Sequence, residues 1–173
     1  MRFRLNNPGV VVRAGGWVAA IAVLAFGIFA GTAALRQELP LPKDTIFARK
    51  ILMGAIDMNM DEIETMLAPE GKLELAEGQE HAETISTMLM AFPHMFSPRT
   101  NQWTLGADRD PATDTFASPT VWTDFTDFYQ RATSASKLAF SASRAKRAVD
   151  FKPLIAELRT NCDACHAIYM KNN

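Results

Sequence analysis

The chain has 173 residues, with 18 basic and 19 acidic side chains, three histidines and two cysteines. Four of the basic residues, Arg2, Arg4, Arg13 and Arg36, lie in the first 36 positions, where no acidic residue occurs. That leaves 14 basic against 19 acidic groups in the remainder, a net of −5. Such a length suits one domain plus an appendage, and the acidic balance does not suit nucleic acid, whose binding rests on clustered positive charge.

The appendage comes first. Arg2, Arg4 and Arg13 precede an uncharged apolar run from Ala14 to Leu35. A run of roughly 20 residues spans a bilayer as a helix, and the basic flank holds residues 1–13 in the cytoplasm while the rest is exported. A single transmembrane anchor is therefore expected over 14–36. It would place the chain in a bacterial inner membrane with the domain in the periplasm. A signal peptide is the alternative, since Gly31-Thr32-Ala33-Ala34 offers weak cleavage sites. Both send the domain to the same compartment. Residues 37–43, with Pro40 and Pro42, read as a stiff linker.

Four helical segments follow. The first is capped by Asp44 and runs to about Leu67, with Ile46, Met53, Ile56, Met60, Ile63 and Leu67 on one face. Ala68-Pro69-Glu70-Gly71 breaks it. The second runs from about Leu73 to Phe92, with Ile85, Met88, Leu89 and Phe92 inward, and Pro93 ends it. A long polar connection, Pro93 to Ala117, separates the halves; a loop of that length is often functional. Ser118-Pro119 supplies a cap and a first-turn proline for the third helix, which runs to about Arg147. Val121, Trp122, Phe125, Phe128 and Tyr129 dominate its start. Ala132, Ala135, Ala139 and Ala142 dominate its end, where a neighbour can approach closely. Asp150 caps the fourth, Pro153 falls in its first turn, and Ile155, Leu158, Cys162, Cys165 and Tyr169 share a face. No stretch alternates as a half-buried strand does. Short links predict antiparallel neighbours. The expected fold is all-α: one transmembrane helix, then an antiparallel four-helix bundle over 44–173.

Cys162-Asp163-Ala164-Cys165-His166 carries the chemistry. Both cysteines of the chain lie in it. A C-x-x-C-H run reads as a c-type haem attachment site, the thiols adding to the vinyl groups and the imidazole binding iron. Residues three and four apart share a helix face, so the three side chains point one way. A thioredoxin-like dithiol belongs after a strand, at the start of a helix, and no strand precedes this one. A structural zinc site needs four ligands, and neither His81 nor His94 has metal-ligand spacing to the pair.

With that motif on the last helix of a bundle, the chain resembles the class II cytochromes c, the cytochrome c-prime family. Arg49-Lys50-Ile51-Leu52-Met53 resembles the family's first-helix Arg-x-x-x-Leu/Met pattern. Phe92-Pro93 resembles its Phe-Pro after the second helix, and Val121-Trp122-Thr123-Asp124-Phe125 its Ile-Trp segment. The likeness covers about Asp44 to Lys171. The connection with Trp103 and the N-terminal anchor depart from it.

The resemblance implies one covalent haem c, bound through Cys162 and Cys165, with His166 as axial ligand. It assigns the sixth position to the residue four after the first-helix arginine, here Met53. Leucine there leaves a five-coordinate, gas-binding iron; methionine gives a low-spin, six-coordinate, electron-carrying one, and His/Met ligation raises the potential. Core packing is the plainer role for Met53, and Met60, two turns on, is the next candidate. Arg49 is expected at a haem propionate. Trp122 and Phe125 are candidates to line the pocket, although aromatic stripes at helical spacing are usually core. His94 is expected exposed in the loop. The acidic group Asp57, Asp61, Glu62 and Glu64 reads as a solvated face. The expected function is a membrane-tethered, periplasmic, single-electron carrier and not an enzyme, serving redox proteins or membrane redox complexes. Alternatives are a five-coordinate gas-binding protein or a fixed subunit of a larger complex. A homodimer through the first two helices is compatible with the resemblance.

Overall fold

The computed structural model describes residues 39–102 and 115–171. The elements below belong to one compact unit, Pro40–Asn173. The expected anchor at 14–36, the cytoplasmic segment 1–13 and Trp103 lie outside the described residues. Among the described residues no helix is long and apolar enough to cross a membrane.

Helix α1 spans Pro42–Leu67 and begins earlier than expected. Leu41, not Asp44, occupies the cap, and its carbonyl accepts the amides of Asp44 (3.0 Å) and Thr45 (3.2 Å). Pro42 therefore belongs to the helix and not to the linker. Its fixed φ suits the first turn, and the amide it lacks would have had no partner there. Asp44 sits in the first turn, where the helix dipole favours a negative charge. The helix ends at an extended Ala68 (ψ 159°) before Pro69, a conformation that the following proline favours. Gly71 then passes under the end of α1. A Cβ there would lie 2.2 Å from the Thr65 carbonyl oxygen and 2.7 Å from that of Met66, so only glycine fits.

Helix α2 spans Leu75–Ala91. The chain continues through two 3₁₀ turns, Phe92–Met95 and Pro98–Thr100, so the start of the long connection is structured. The third predicted helix is in fact two: α3, Thr120–Thr123, and α4, Phe125–Ser143. Asp124 separates them at φ −129°, ψ 51°. Thr and Asp are weak helix formers because their side chains compete for backbone groups. Pro119, not Ser118, occupies the cap of α3, and Ser118 sits one residue before it with its Oγ accepting the Thr120 amide at 3.2 Å. Helix α5 spans Ala148–Tyr169. Asp150 lies inside its first turn, held by two hydrogen bonds from Arg147 at 2.8 Å. Pro153 consequently falls in the second turn. The carbonyl it leaves without a partner belongs to Val149, an exposed residue that water can serve.

Helices α1, α2, α4 and α5 form the bundle. Helix α2 packs on α1 and on α4, and α4 packs on α5. The α2–α4 seam is antiparallel: Gln79 bonds the Ala145 carbonyl, Glu83 pairs with Arg144, and Ser86 meets Ser136. There Ala139 and Ala142 are fully buried, as the small-residue stripe predicts. Ser86 and Ser136 each donate to the other's backbone carbonyl at 2.9 Å. Around the seam, Ile63, Ile85, Phe151, Ile155 and Leu158 are at most 2% exposed, each contributing about 1.5–3 kcal/mol of burial. The α1–α5 side is different: close packing does not join these two helices along their length. Near one end, Arg159 grips Glu64 through two hydrogen bonds, at 2.6 and 2.9 Å.

A second apolar cluster, Phe96, Val121, Phe128 and Tyr169, seals one end of the bundle. One antiparallel bridge ties the tail of α5 to the chain before α3. The Ser118 amide bonds the Tyr169 carbonyl and the Lys171 amide that of Phe116, both at 2.8 Å.

Candidate haem site

The unfilled side of the bundle is a cavity of about 550 Å³, a size typical of cofactor sites. Its walls are mostly apolar: Ile46 and Met60 from α1, Ile85 and Leu89 from α2, Phe128 from α4. It exists because α4 presents Ala132 and Ala135 there, where bulkier side chains would fill the space. The alanine stripe thus has two roles, close approach to α2 at one end of α4 and open space at the other.

Cys162, Cys165 and His166 all line this cavity from α5, and Met53 and Arg49 line it from α1. Met53 is half-buried and Met60, which also lines it, is 2% exposed. The two methionines are two turns apart, about 10 Å along the helix axis, so they serve different levels of the cavity. Both cysteines are free and half-buried. Burial pushes the Cys165 thiol up to about 11, with neighbouring Cys162 adding to the effect. Burial raises Cys162 as well. Reactive dithiols and metal-binding thiols sit where the thiolate is favoured, and these do not. Among the described residues no group of three His, Cys, Asp or Glu side chains converges as metal ligands.

Arg49 is 4% exposed. Its Nη1 donates to Thr100 Oγ1 at 3.0 Å and its Nη2 to Thr115 Oγ1 at 3.2 Å. The guanidinium lies 4.2 Å from the centre of the Phe96 ring. Burial pulls its pKa down to about 10. Hydroxyls and a ring face satisfy part of this cation, but no carboxylate of the described residues pairs with it. A buried charge normally has a counter-charge.

Trp122 and Phe125, expected at the pocket, do not line it. Val121 and Phe128, seven residues apart, turn inward instead. Trp122 donates its indole N–H to the Ser97 carbonyl at 3.0 Å and packs on Phe96. Phe125 is 39% exposed and lies against Phe128 and Tyr129. His94 is exposed in its 3₁₀ turn, edge-on to Tyr129.

Sequence reasoning did not find the polar parts of the site. Thr100 and Thr115 are loop threonines without any pattern. Tyr169, assigned to the apolar face of α5, lines the cavity and donates its hydroxyl to Asp127 Oδ2 at 2.5 Å. Arg131 donates to the same oxygen at 2.6 Å. These two hydrogen bonds, Arg131's first, hold the Asp127 carboxyl below its usual range. Burial and then the Asp127 bond push Tyr169 up to about 12. Asn161, one residue before Cys162, has a buried Oδ1 without a partner among the described residues. Taken together, two thiols, an imidazole, thioethers and a buried unpaired guanidinium around an apolar space fit a flat apolar group with acidic side groups.

The family model for cytochrome C′ matches residues 44–170. No curated protein matches the chain. Among solved structures, cytochrome c prime from Shewanella frigidimarina is 20% identical, with a TM-score of 0.67 over 78% of this chain and 99% of that one. Cytochrome c′ from Thermochromatium tepidum is 21% identical, with a TM-score of 0.64 over 76% of this chain and 97% of that one. The nitric oxide complex of a variant cytochrome c prime from Alcaligenes xylosoxidans is 18% identical, with a TM-score of 0.64 over 78% and 100%. These likenesses carry the four-helix-bundle fold, and the family match spans the whole bundle. The chain belongs to the cytochrome c′ family, which binds a covalent c-type haem.

Proposed function

We propose that the domain carries single electrons on one haem, attached through Cys162 and Cys165 and ligated by His166 and Met53. The supporting observation is that these four side chains, from α1 and α5, line one cavity. When bound, the haem supplies a one-electron couple. The chain's part is to keep that couple in an apolar space, to fix the imidazole on α5, and to offer a soft, neutral thioether from α1. Arg49 is the counter-charge for a haem propionate, in keeping with its burial without a carboxylate. No substrate is converted; the protein is a carrier.

We further propose that residues 14–36 anchor the chain in a bacterial inner membrane with the bundle in the periplasm, where tethering raises the local concentration near membrane redox partners. One neighbour of this fold is a cytochrome c′ with a ligand-controlled dimer dissociation. Exposed Phe47, Ile51 and Met58 on α1 fit a homodimer here. A fixed place in a larger membrane complex uses the same surfaces.

A second reading has its own support. The Alcaligenes xylosoxidans neighbour was solved with nitric oxide, and the family match by itself fits a five-coordinate, gas-binding haem. The residue that favours electron transfer is Met53. An absorption spectrum of the reduced holoprotein with and without carbon monoxide separates the two. A low-spin spectrum unchanged by carbon monoxide is expected, and Met53→Leu is expected to give a high-spin spectrum that carbon monoxide shifts. A wild-type spectrum that already responds to carbon monoxide sinks methionine ligation and establishes the second reading.

A further inference from the structure

Thr115 holds a donor that no described residue accepts. Its side chain is 5% exposed and lines the cavity beside Arg49. Its Oγ1 accepts two hydrogen bonds, from Arg49 Nη2 at 3.2 Å and from the Ala117 amide at 3.1 Å. A hydroxyl has two lone pairs and one hydrogen, so both lone pairs are occupied and the hydrogen remains. Thr100 is the instructive contrast. It also accepts from Arg49, but its own hydrogen is spent on the Ser97 carbonyl at 2.7 Å. Thr100 positions the guanidinium and has nothing left to give.

Arg49 is in the same condition as Thr115. A guanidinium has five N–H groups. Three reach Thr100 and Thr115, and neither Nε nor the second hydrogen of Nη1 reaches any described acceptor. A buried cation and a buried hydroxyl therefore sit side by side on the cavity wall, both with hydrogens to donate and neither with an anion. Such donors gain most from an acceptor that is itself charged. The other charged side chains lining the cavity are Lys50, Asp57, Arg131 and Arg159.

We propose that Thr115 is a second donor for an acid group of the cofactor, forming with Arg49 a two-residue carboxylate seat. This rests on the haem reading above and adds a residue that belongs to no motif of the chain. The seat is held from outside the helices. Thr115 opens the segment that bridges to the tail of α5, and Phe96 stacks on the guanidinium from behind. A hydrogen bond to the ionised acid favours its charged form and draws negative charge away from the iron, which favours the reduced state.

The test uses the full-length holoprotein, with midpoint potential measured against pH. Thr115→Val is expected to lower the potential, shifting the reduction equilibrium about three- to tenfold, where tenfold is 59 mV for one electron. It is also expected to move the pH-dependent inflection of the potential upward, because the acid ionises less readily without the donor. Thr115→Ser restores both values. If the valine variant does not fold, Thr115→Ala takes its place with the same expectation. An unchanged potential and inflection in a folded, haem-loaded variant overturns the seat. So does a wild-type potential that varies with added acetate, which identifies the anion as one from solution. Failure of the underlying reading looks different: wild-type chain matured with a cytochrome c attachment system then carries no covalent haem in a denaturing gel.

Discussion

The bundle has a closed side and an open one, and both are built with alanine. At the α2–α4 seam, Ala139 and Ala142 let two helices meet so closely that backbone carbonyls accept serine hydroxyls across the gap. About two to three turns toward the start of α4, Ala132 lines a cavity of about 550 Å³. The same residue type gives contact where a neighbour is drawn in and space where none is. What decides is the opposite wall: α1 and α5, lining the open side, are not joined by close packing.

The largest expected effect contrasts two aliphatic side chains of similar size. Leu158 is fully buried in the closed core and does not line the cavity, whereas Ile46, 1% exposed, does. Truncation to alanine costs about 2–5 kcal/mol, rising with the cavity it leaves. Leu158→Ala is expected in the upper half of that range by denaturant unfolding of the haem-free chain. Ile46→Ala is expected near the lower end, because atoms beside a void have already lost contacts on one side. Equal costs would mean that the open side is packed as tightly as the closed one.

The two alanine roles can be exchanged for leucine one at a time. Ala139→Leu overfills the seam and is expected to cost about 1–3 kcal/mol or more. Ala132→Leu fills empty space, so the haem-free chain is expected to keep or gain stability while covalent haem loading falls. The readouts are a thermal midpoint for the first property and haem content per chain for the second. An Ala132→Leu protein that loads haem as the wild type does refutes this wall of the site.

How far these regions could be read from the sequence follows the same division. The closed side is written in periodicity: Ile63 and Leu67 mark α1, and Ile155 and Leu158 mark α5, because helical spacing and burial repeat together. The convergence of Cys162, Cys165 and His166 on one cavity was equally legible, since one helix is enough to align them. The seat around Arg49 was not. It joins a helix to Thr100 and Thr115, distant in sequence and placed by loop geometry that leaves no periodic trace. Trp122 and Phe125 lie in the same aromatic stretch as Val121 and Phe128, and composition alone does not say which of these side chains reach the cavity. The N-terminal anchor over 14–36 rests on hydropathy alone.

The smallest expected effect concerns the hydrogen-bonded group where the end of α5 meets α4. Asp127 accepts from Arg131 and from Tyr169, and lies below its ordinary value of 3.8 while Tyr169 is pushed up to about 12. The signs are opposite in origin and alike in consequence. A depressed carboxyl contributes stability that is present above its unfolded pKa and is lost as pH falls through the folded one. A raised phenol contributes stability that is full below its unfolded value near 10 and is lost as pH rises toward 12. The wild type is therefore expected to lose this contribution at both ends, below about pH 4 and between about 10 and 12. Tyr169→Phe is expected to remove the alkaline loss and weaken the acid one, since Arg131 still bonds Asp127. Asp127→Asn is expected to remove the acid loss. Arg131 and Asp127 are both partly solvated, so the changes are expected to be small beside those of the core variants. Urea midpoints followed across pH distinguish the outcomes. Identical alkaline limbs for wild type and Tyr169→Phe would show that the phenol makes no such bond in solution, and the sealed end of the bundle would then depend on apolar contacts alone.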